Sequence, residues 1–118
     1  MNDNVTTLAE LKQTMAQFVG ERDWNQFHTP KNLVASICIE AAELLEHFQW
    51  LKADQCERDK LSPEKLHGIG EECADVLAYL LSLANQLDLD LAEVYERKMK
   101  RNVEKYPIER CRGKSGSE

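Results

Sequence analysis

Ile37-Cys38-Ile39-Glu40-Ala41-Ala42-Glu43-Leu44 and Ile69-Gly70-Glu71-Glu72-Cys73-Ala74-Asp75-Val76 are the two stretches that decide how this chain folds. Residues three or four apart share one face of an α-helix. Leu33, Ile37, Glu40 and Leu44 fall on such a face, and so do Ile69, Glu72, Val76 and Tyr79. Apolar positions at this period predict two amphipathic helices, and nowhere does polarity alternate for long enough to predict a strand. Each helix carries an acidic pair, Glu40 with Glu43 and Glu72 with Asp75, within or beside its apolar surface.

Start and stop signals frame these two helices and add two more. Thr29-Pro30 opens the first of them, an N-cap followed by proline at the first helical position, and its pattern continues to about Leu51. A polar stretch from Lys52 to Leu61 leads to Ser62-Pro63, which opens the other, running to about Leu87. Gly68 and Gly70 weaken its first turns, so a bend or a late start near Ile69 is expected. Upstream, Thr7 and Glu10 make a capping box for a helix to about Val19, with Leu8, Leu11, Met15 and Phe18 as its buried stripe. Downstream, Asp90 and Glu93 open a helix to about Tyr106, where Pro107 stops it. The expected fold is therefore all-α, a four-helix bundle over residues 1–107, with 108–118 as a flexible tail.

The rest of the composition agrees. The chain has 118 residues, 42% hydrophobic and 31% charged, which suits one soluble globular domain. Its longest apolar run, Val76 to Leu81, is too short to span a bilayer, and Met1-Asn2-Asp3-Asn4 lacks signal-peptide character. A cytoplasmic protein without membrane contact is expected. The same run is apolar almost all round, so that helix needs cover on several sides, which points to a homo-oligomer. The four cysteines form no C-x-x-C pair and read as reduced thiols. A net charge of -6 argues against binding nucleic-acid polymers, although Arg97 to Lys114 is locally basic.

Acids inside apolar stripes are costly, because a buried carboxylate without a partner loses its solvation and two neighbours repel. Helices packed antiparallel through these faces would bring Glu40, Glu43, Glu72 and Asp75 together, with no basic residue nearby in either segment. A divalent cation would relieve them, and an all-oxygen ligand set favours a hard ion, Mg²⁺ or Mn²⁺, bridged to substrate phosphates. Acids on a solvated face, paired with lysines, are the alternative reading. Glu46 is close enough round its helix to serve as a catalytic base, or it is simply exposed.

E-x-x-E on one helix followed by E-x-x-D on the next resembles the signature of the MazG-type, all-α nucleoside triphosphate pyrophosphohydrolases. The likeness to their dCTP-pyrophosphatase-like branch extends to Arg22-Asp23-Trp24, Phe27-His28, Phe48-Gln49-Trp50, Tyr79, Lys98-Met99, Asn102 and Tyr106-Pro107. It spans Leu8 to Pro107. One departure is Ile39, where relatives often carry a small residue before the first glutamate, and it is expected to tighten local packing.

The resemblance implies Mg²⁺-dependent cleavage of a nucleoside triphosphate between its α- and β-phosphates, and a homotetramer built as a dimer of dimers. It makes Glu40, Glu43, Glu72 and Asp75 the metal ligands, with Glu43 first and Glu46 second as the carboxylate that accepts a proton from the attacking water. Lys98, Asn102 and Tyr106 lie at i, i+4 and i+8 on one helical face. By the same carry-over, Lys98 meets phosphate oxygens, while Asn102 and Tyr106 bond phosphate or sugar. Trp24, Phe27, His28, Trp50 and Tyr79 are candidates to stack on or enclose a base. The competing expectation is a non-catalytic oligomeric helical interaction module whose acids are all on the surface.

Overall fold

The fold is known from a computed structural model, which describes residues 1–114. Five α-helices carry it, α1 (Leu8–Glu21), α2 (Pro30–Glu46), α3 (Pro63–Leu87), α4 (Leu91–Lys105) and α5 (Ile108–Cys111), with no strand among the described residues. The chain divides into two compact units, Met1–Asp88 and the residues from Leu89 onward.

In the first unit α3 is the central element, packing along α2 and against α1. Its interior is small: Val19 from α1, Leu33 from α2, and Leu81, Ser82 and Ala84 from α3. Leu33, at 1% exposure, is the largest side chain fully enclosed. Asn85 ties α3 to α1 by donating to the Lys12 carbonyl at 2.9 Å. The two stripes read from the sequence face inward as a set. Ile37, Glu40 and Leu44 are partly buried on α2, as are Ile69, Glu72, Val76 and Tyr79 on α3.

The caps form as their sequences suggest at α1 and α3. Thr7 Oγ1 accepts from the Glu10 amide at 3.1 Å, and the Thr7 amide donates back to Glu10 Oε2 at 2.6 Å, satisfying two donors that the helix leaves orphaned. Ser62 Oγ accepts from the Lys65 amide at 3.1 Å. Thr29 occupies the N-cap of α2 without a side-chain capping bond, leaving Pro30 to set the helical start.

Expectations along α1, α2 and α3 are corrected. The second helix ends at Glu46 rather than near Leu51, because the amides of His47, Phe48 and Leu51 turn to carbonyls three residues back. Two short 3-10 turns, Ala53–Gln55 and Arg58–Lys60, then carry the chain to α3. That helix starts at Pro63 and runs unbroken through Gly68 and Gly70. Gly68 is where the His47 imidazole comes closest: a Cβ there would stand 2.9 Å from His47 Cε1, while at Gly70 it would meet nothing. Ile39, at 58% exposure, tightens no packing within the chain. Phe18 and Leu8, placed in the buried stripe of α1 by their spacing, are half-exposed; Val19 is the α1 residue that enters the core.

The second unit holds α4 and α5. Asp90 Oδ1 caps α4 by accepting from the Glu93 amide at 3.0 Å, and the helix gives out at Tyr106 before Pro107. Ile108–Cys111, within the stretch expected to be a tail, forms a single helical turn, and 115–118 lie outside the described residues. The four cysteines are free thiols. No helix among the described residues is long and apolar enough to cross a membrane.

The two α3 glycines should respond differently to a methyl group. Gly70→Ala should raise stability by about 0.5–1 kcal/mol, the usual gain for alanine over glycine inside a helix. Gly68→Ala should gain less or lose stability, since the His47 ring has to move. Chemical denaturation of the two variants checks this; equal gains would mean that the His47 contact constrains nothing.

Candidate active site

Packing α2 against α3 brings one carboxylate oxygen each of Glu40, Glu43 and Glu72 within 4.8 Å of one another. Spacing accounts for the arrangement: Glu40 and Glu43 are a turn apart on α2, and Glu72 is on the α3 face that packs against it. Among the described residues no basic side chain forms an ion pair with them. Glu40 Oε2 and Glu72 Oε2 are both buried without a hydrogen-bond partner. Asp75, one turn on from Glu72, is exposed and stands outside the 4.8 Å group, yet its charge still acts on Glu40.

The electrostatics follow from this crowding. Glu43 is held above the ordinary value of 4.5, first by the close approach of the Glu40 carboxyl, which favours a proton shared on Glu43, then by the charge of Glu40, by burial, and by the charge of Glu46 at the end of α2, with Glu72 pulling weakly the other way. Glu40 is raised as well. The close approach of the Glu43 carboxyl is its largest influence and pulls downward, but the approach of the Glu72 carboxyl, burial and the charges of Glu72 and Asp75 together outweigh it. Two orphaned, buried carboxylate oxygens within a cluster of three acids, with no ion pair to them among the described residues, fit an oxygen-preferring divalent metal ion.

Beside the acids lies a cavity of about 340 Å³ lined by Met15, Phe18, Trp24, His28, Asp75, Ala78 and Tyr79. It is built where the α1–α2 connection folds over α3. Asp23 takes a left-handed backbone conformation, φ 54°, which turns the chain back after α1. The Trp24 amide then bonds the Val19 carbonyl at 3.0 Å. Trp24 meets Phe18 edge-on at 5.7 Å and stacks with His28 at 6.2 Å; His28 in turn lies 6.1 Å from the Tyr79 ring. Behind His28, Nδ1 is 2.9 Å from the hydroxyl of buried Ser82. Arg22 sits over the outer side of Phe18, 3.8 Å from its centroid.

Of the aromatics singled out from the sequence, this fold gathers Trp24, His28 and Tyr79. Phe27 and Trp50 do not line the cavity; Phe27 is largely exposed and Trp50 is 87% exposed. Met15, Phe18, Ala78 and Ser82 belong to this region but were not among the sequence-derived site residues. Phe18 and Met15 carry no polar signal that would separate them from core residues. Ser82, set in Leu80-Leu81-Ser82-Leu83-Ala84, does carry one.

Lys98 and Asn102 lie along α4 in the second unit, and Tyr106 is its C-cap residue. Lys98 and Asn102 line a groove of about 360 Å³ with Arg101, Glu104 and Lys105. Asn102 Nδ2 donates to Met99 Sδ at 3.7 Å, and the Lys105 ammonium is 5.3 Å from the centre of the Tyr106 ring. Of the other acids near the site, Glu71 pairs with His67 at 3.0 Å on the exposed side of α3.

A family model described as MazG-like matches residues 35–116. Over 107 residues the chain is 37% identical to dCTP pyrophosphatase 1 of Bos taurus, a match covering 91% of this chain and 63% of that protein. With the human dCTP pyrophosphatase 1 the identity is 38% over 109 residues, 92% of this chain and 64% of the relative. The chain thus spans under two thirds of the length of these relatives. A crystal structure of a pyrophosphatase from Archaeoglobus fulgidus superposes with a TM-score of 0.79 at 40% identity, covering 91% of this chain and 98% of that one. With its acidic helix pair, its all-α fold and these matches, the chain belongs to the MazG-like family.

The raised carboxyls make metal-free stability depend on pH with a definite sign. A carboxyl whose folded pKa lies above its unfolded one binds its proton more tightly in the fold. Its contribution is complete below about 4.5 and is lost as pH rises through the raised folded value. In EDTA, Glu43→Gln should therefore melt a few degrees above the parent, and the gap should widen as pH rises from 4.5. Melting curves across that range test this; a gap that stays flat would mean the acids do not strain one another.

Proposed function

We propose that this chain hydrolyses a (deoxy)nucleoside triphosphate between its α- and β-phosphates, giving a nucleoside monophosphate and pyrophosphate. A dCTP-like pyrimidine nucleotide is the proposed substrate, drawn from the cytoplasmic pool. The observation that carries this reading is the convergence of Glu40, Glu43 and Glu72, two of them with buried unpartnered oxygens, next to an aromatic cavity that Asp75 also lines. The names of the relatives support the same reaction class.

Glu40, Glu43, Glu72 and Asp75 hold Mg²⁺, for which Mn²⁺ can substitute. When bound, the metal supplies neutralising charge to the triphosphate and acidifies the attacking water. The chain's own groups do the rest. Glu43, one turn from Glu40 in the cluster, accepts the proton of the water that attacks the α-phosphorus; Glu46 is the second candidate. The bond from that phosphorus to the α,β-bridging oxygen breaks, and pyrophosphate leaves. Trp24, His28 and Tyr79 enclose the base, with Phe27 and Trp50 as further contacts. On α4, Lys98 offers a point charge suited to phosphate oxygens, and Asn102 and Tyr106 offer hydrogen bonds to phosphate or sugar.

The working form is proposed to be a homotetramer, a dimer of dimers. Leu77 and Leu80 on α3, with Ile39 and Leu45 on α2, are exposed in the single chain, which supports burial against further copies. Light scattering should then return four times 13.6 kDa.

Separating the products from a panel of dNTPs and NTPs, with and without Mg²⁺, tests the reaction. Metal-dependent monophosphate plus pyrophosphate, fastest on dCTP or a close analogue, is expected. Stepwise orthophosphate release, or no turnover with no thermal shift on adding Mg²⁺, would overturn it, the latter in favour of an interaction module. Glu43→Gln should lower turnover by about 10²–10⁴-fold while leaving the fold intact, with a large loss also for Asp75→Asn. Retained activity in both would remove these residues from the chemistry.

A further inference from the structure

Ser82 is a polar residue in the most deeply buried turn of α3, at 3% exposure between Leu81 and Ala84. A buried hydroxyl needs an acceptor for its proton. Within a helix the usual alternative is a carbonyl three or four residues back, the bond that Thr14 makes to Leu11 at 2.8 Å in α1. Ser82 makes no such bond; its side-chain partner among the described residues is His28 Nδ1, at 2.9 Å. Donation from the hydroxyl to the Nδ1 lone pair supplies that acceptor. In a neutral imidazole that leaves the proton on Nε2.

Two further rings flank the imidazole. Trp24 stacks beside it at 6.2 Å with 23° between planes, and Tyr79 is tilted at 36° with its centroid 6.1 Å away. Its Nε2 has no protein partner among the described residues, and His28 lines the cavity. We infer that Ser82 fixes His28 as the Nε2–H tautomer, so that the aromatic cavity meets its ligand with one oriented donor and favours bases carrying a carbonyl oxygen or unprotonated ring nitrogen there. The cavity volume of about 340 Å³ accommodates a base, and apolar rings alone would discriminate poorly among bases. Ser82 touches no ligand in this scheme. It is a positioning residue, acting through His28. The specificity half of the inference rests on the cavity being the base pocket of the reaction proposed above; the tautomer half does not.

The test combines two readouts. Nitrogen-15 NMR of the imidazoles, on the metal-free and nucleotide-free chain, reports which nitrogen of His28 carries the proton. Steady-state kinetics on the best nucleotide gives KM and kcat. The wild-type chain should show a single Nε2–H tautomer. Ser82→Ala should show mixed tautomers with KM raised about 3- to 10-fold, the usual worth of one hydrogen bond, and kcat little changed. Ser82→Thr, which keeps the hydroxyl, should restore both. A wild-type His28 protonated on Nδ1 overturns the inference outright, as does a Ser82→Ala chain with unchanged tautomer and KM. If the wild-type chain turned over no nucleotide, the reaction reading would fail, while the spectrum of the same sample would still decide the tautomer.

Discussion

Three carboxylates that cannot comfortably stay charged side by side set the terms for this molecule. Packing α2 on α3 through Leu33, Ile37 and Leu44 on one side and Ile69, Val76 and Tyr79 on the other is what any apolar stripe would do. Glu40 and Glu72 sit inside those stripes, so the burial that stabilises the helix pair also strips water from two carboxylate oxygens. The metal-free protein responds by holding protons on Glu40 and Glu43 more tightly than water would. Burial of the helix pair and solvation of its carboxylates pull in opposite directions here.

One helix links the two halves of the site. Glu72 belongs to the acidic cluster, Asp75 stands at the border, and Ala78, Tyr79 and Ser82 continue along α3 at intervals of three and four into the aromatic cavity. The one helix α3 thus fixes the distance between the acidic cluster and the aromatic cavity. The α1–α2 connection completes the cavity from outside. Its aromatics are held by the left-handed turn at Asp23 and by the Trp24 amide on Val19, so a loop acts here as a wall.

Much of this was legible in the sequence, for identifiable reasons. The capping pairs Thr7/Glu10 and Ser62/Pro63 and the 3.6-residue stripes of α2 and α3 depend on local chemistry, and they form as written. The convergence of Glu40, Glu43 and Glu72 was legible because a carboxylate in an apolar stripe is costly unless something gathers beside it to balance its charge. What could not be read were contacts made across the fold. Gly68 looked like a weak point until the His47 ring was seen against it. Phe18 fitted the buried stripe by spacing and instead lines a cavity under Arg22. Trp24 and Trp50 are equally aromatic on paper, yet one stacks on His28 and the other faces solvent. Ser82 could be noticed as a polar residue in an apolar run, but its partner is 54 positions away in the chain.

Whether these acids converge to hold a divalent ion is tested most directly by electron paramagnetic resonance of added Mn²⁺. The free ion gives a sharp signal that fades when the protein takes it up. The wild-type chain should take up the ion in the absence of any nucleotide, with excess Mg²⁺ displacing it and Glu72→Gln strongly weakening its binding. Mn²⁺ that remains free, or that binds the Glu72→Gln chain as well as the parent, would contradict a metal-holding role for these carboxylates.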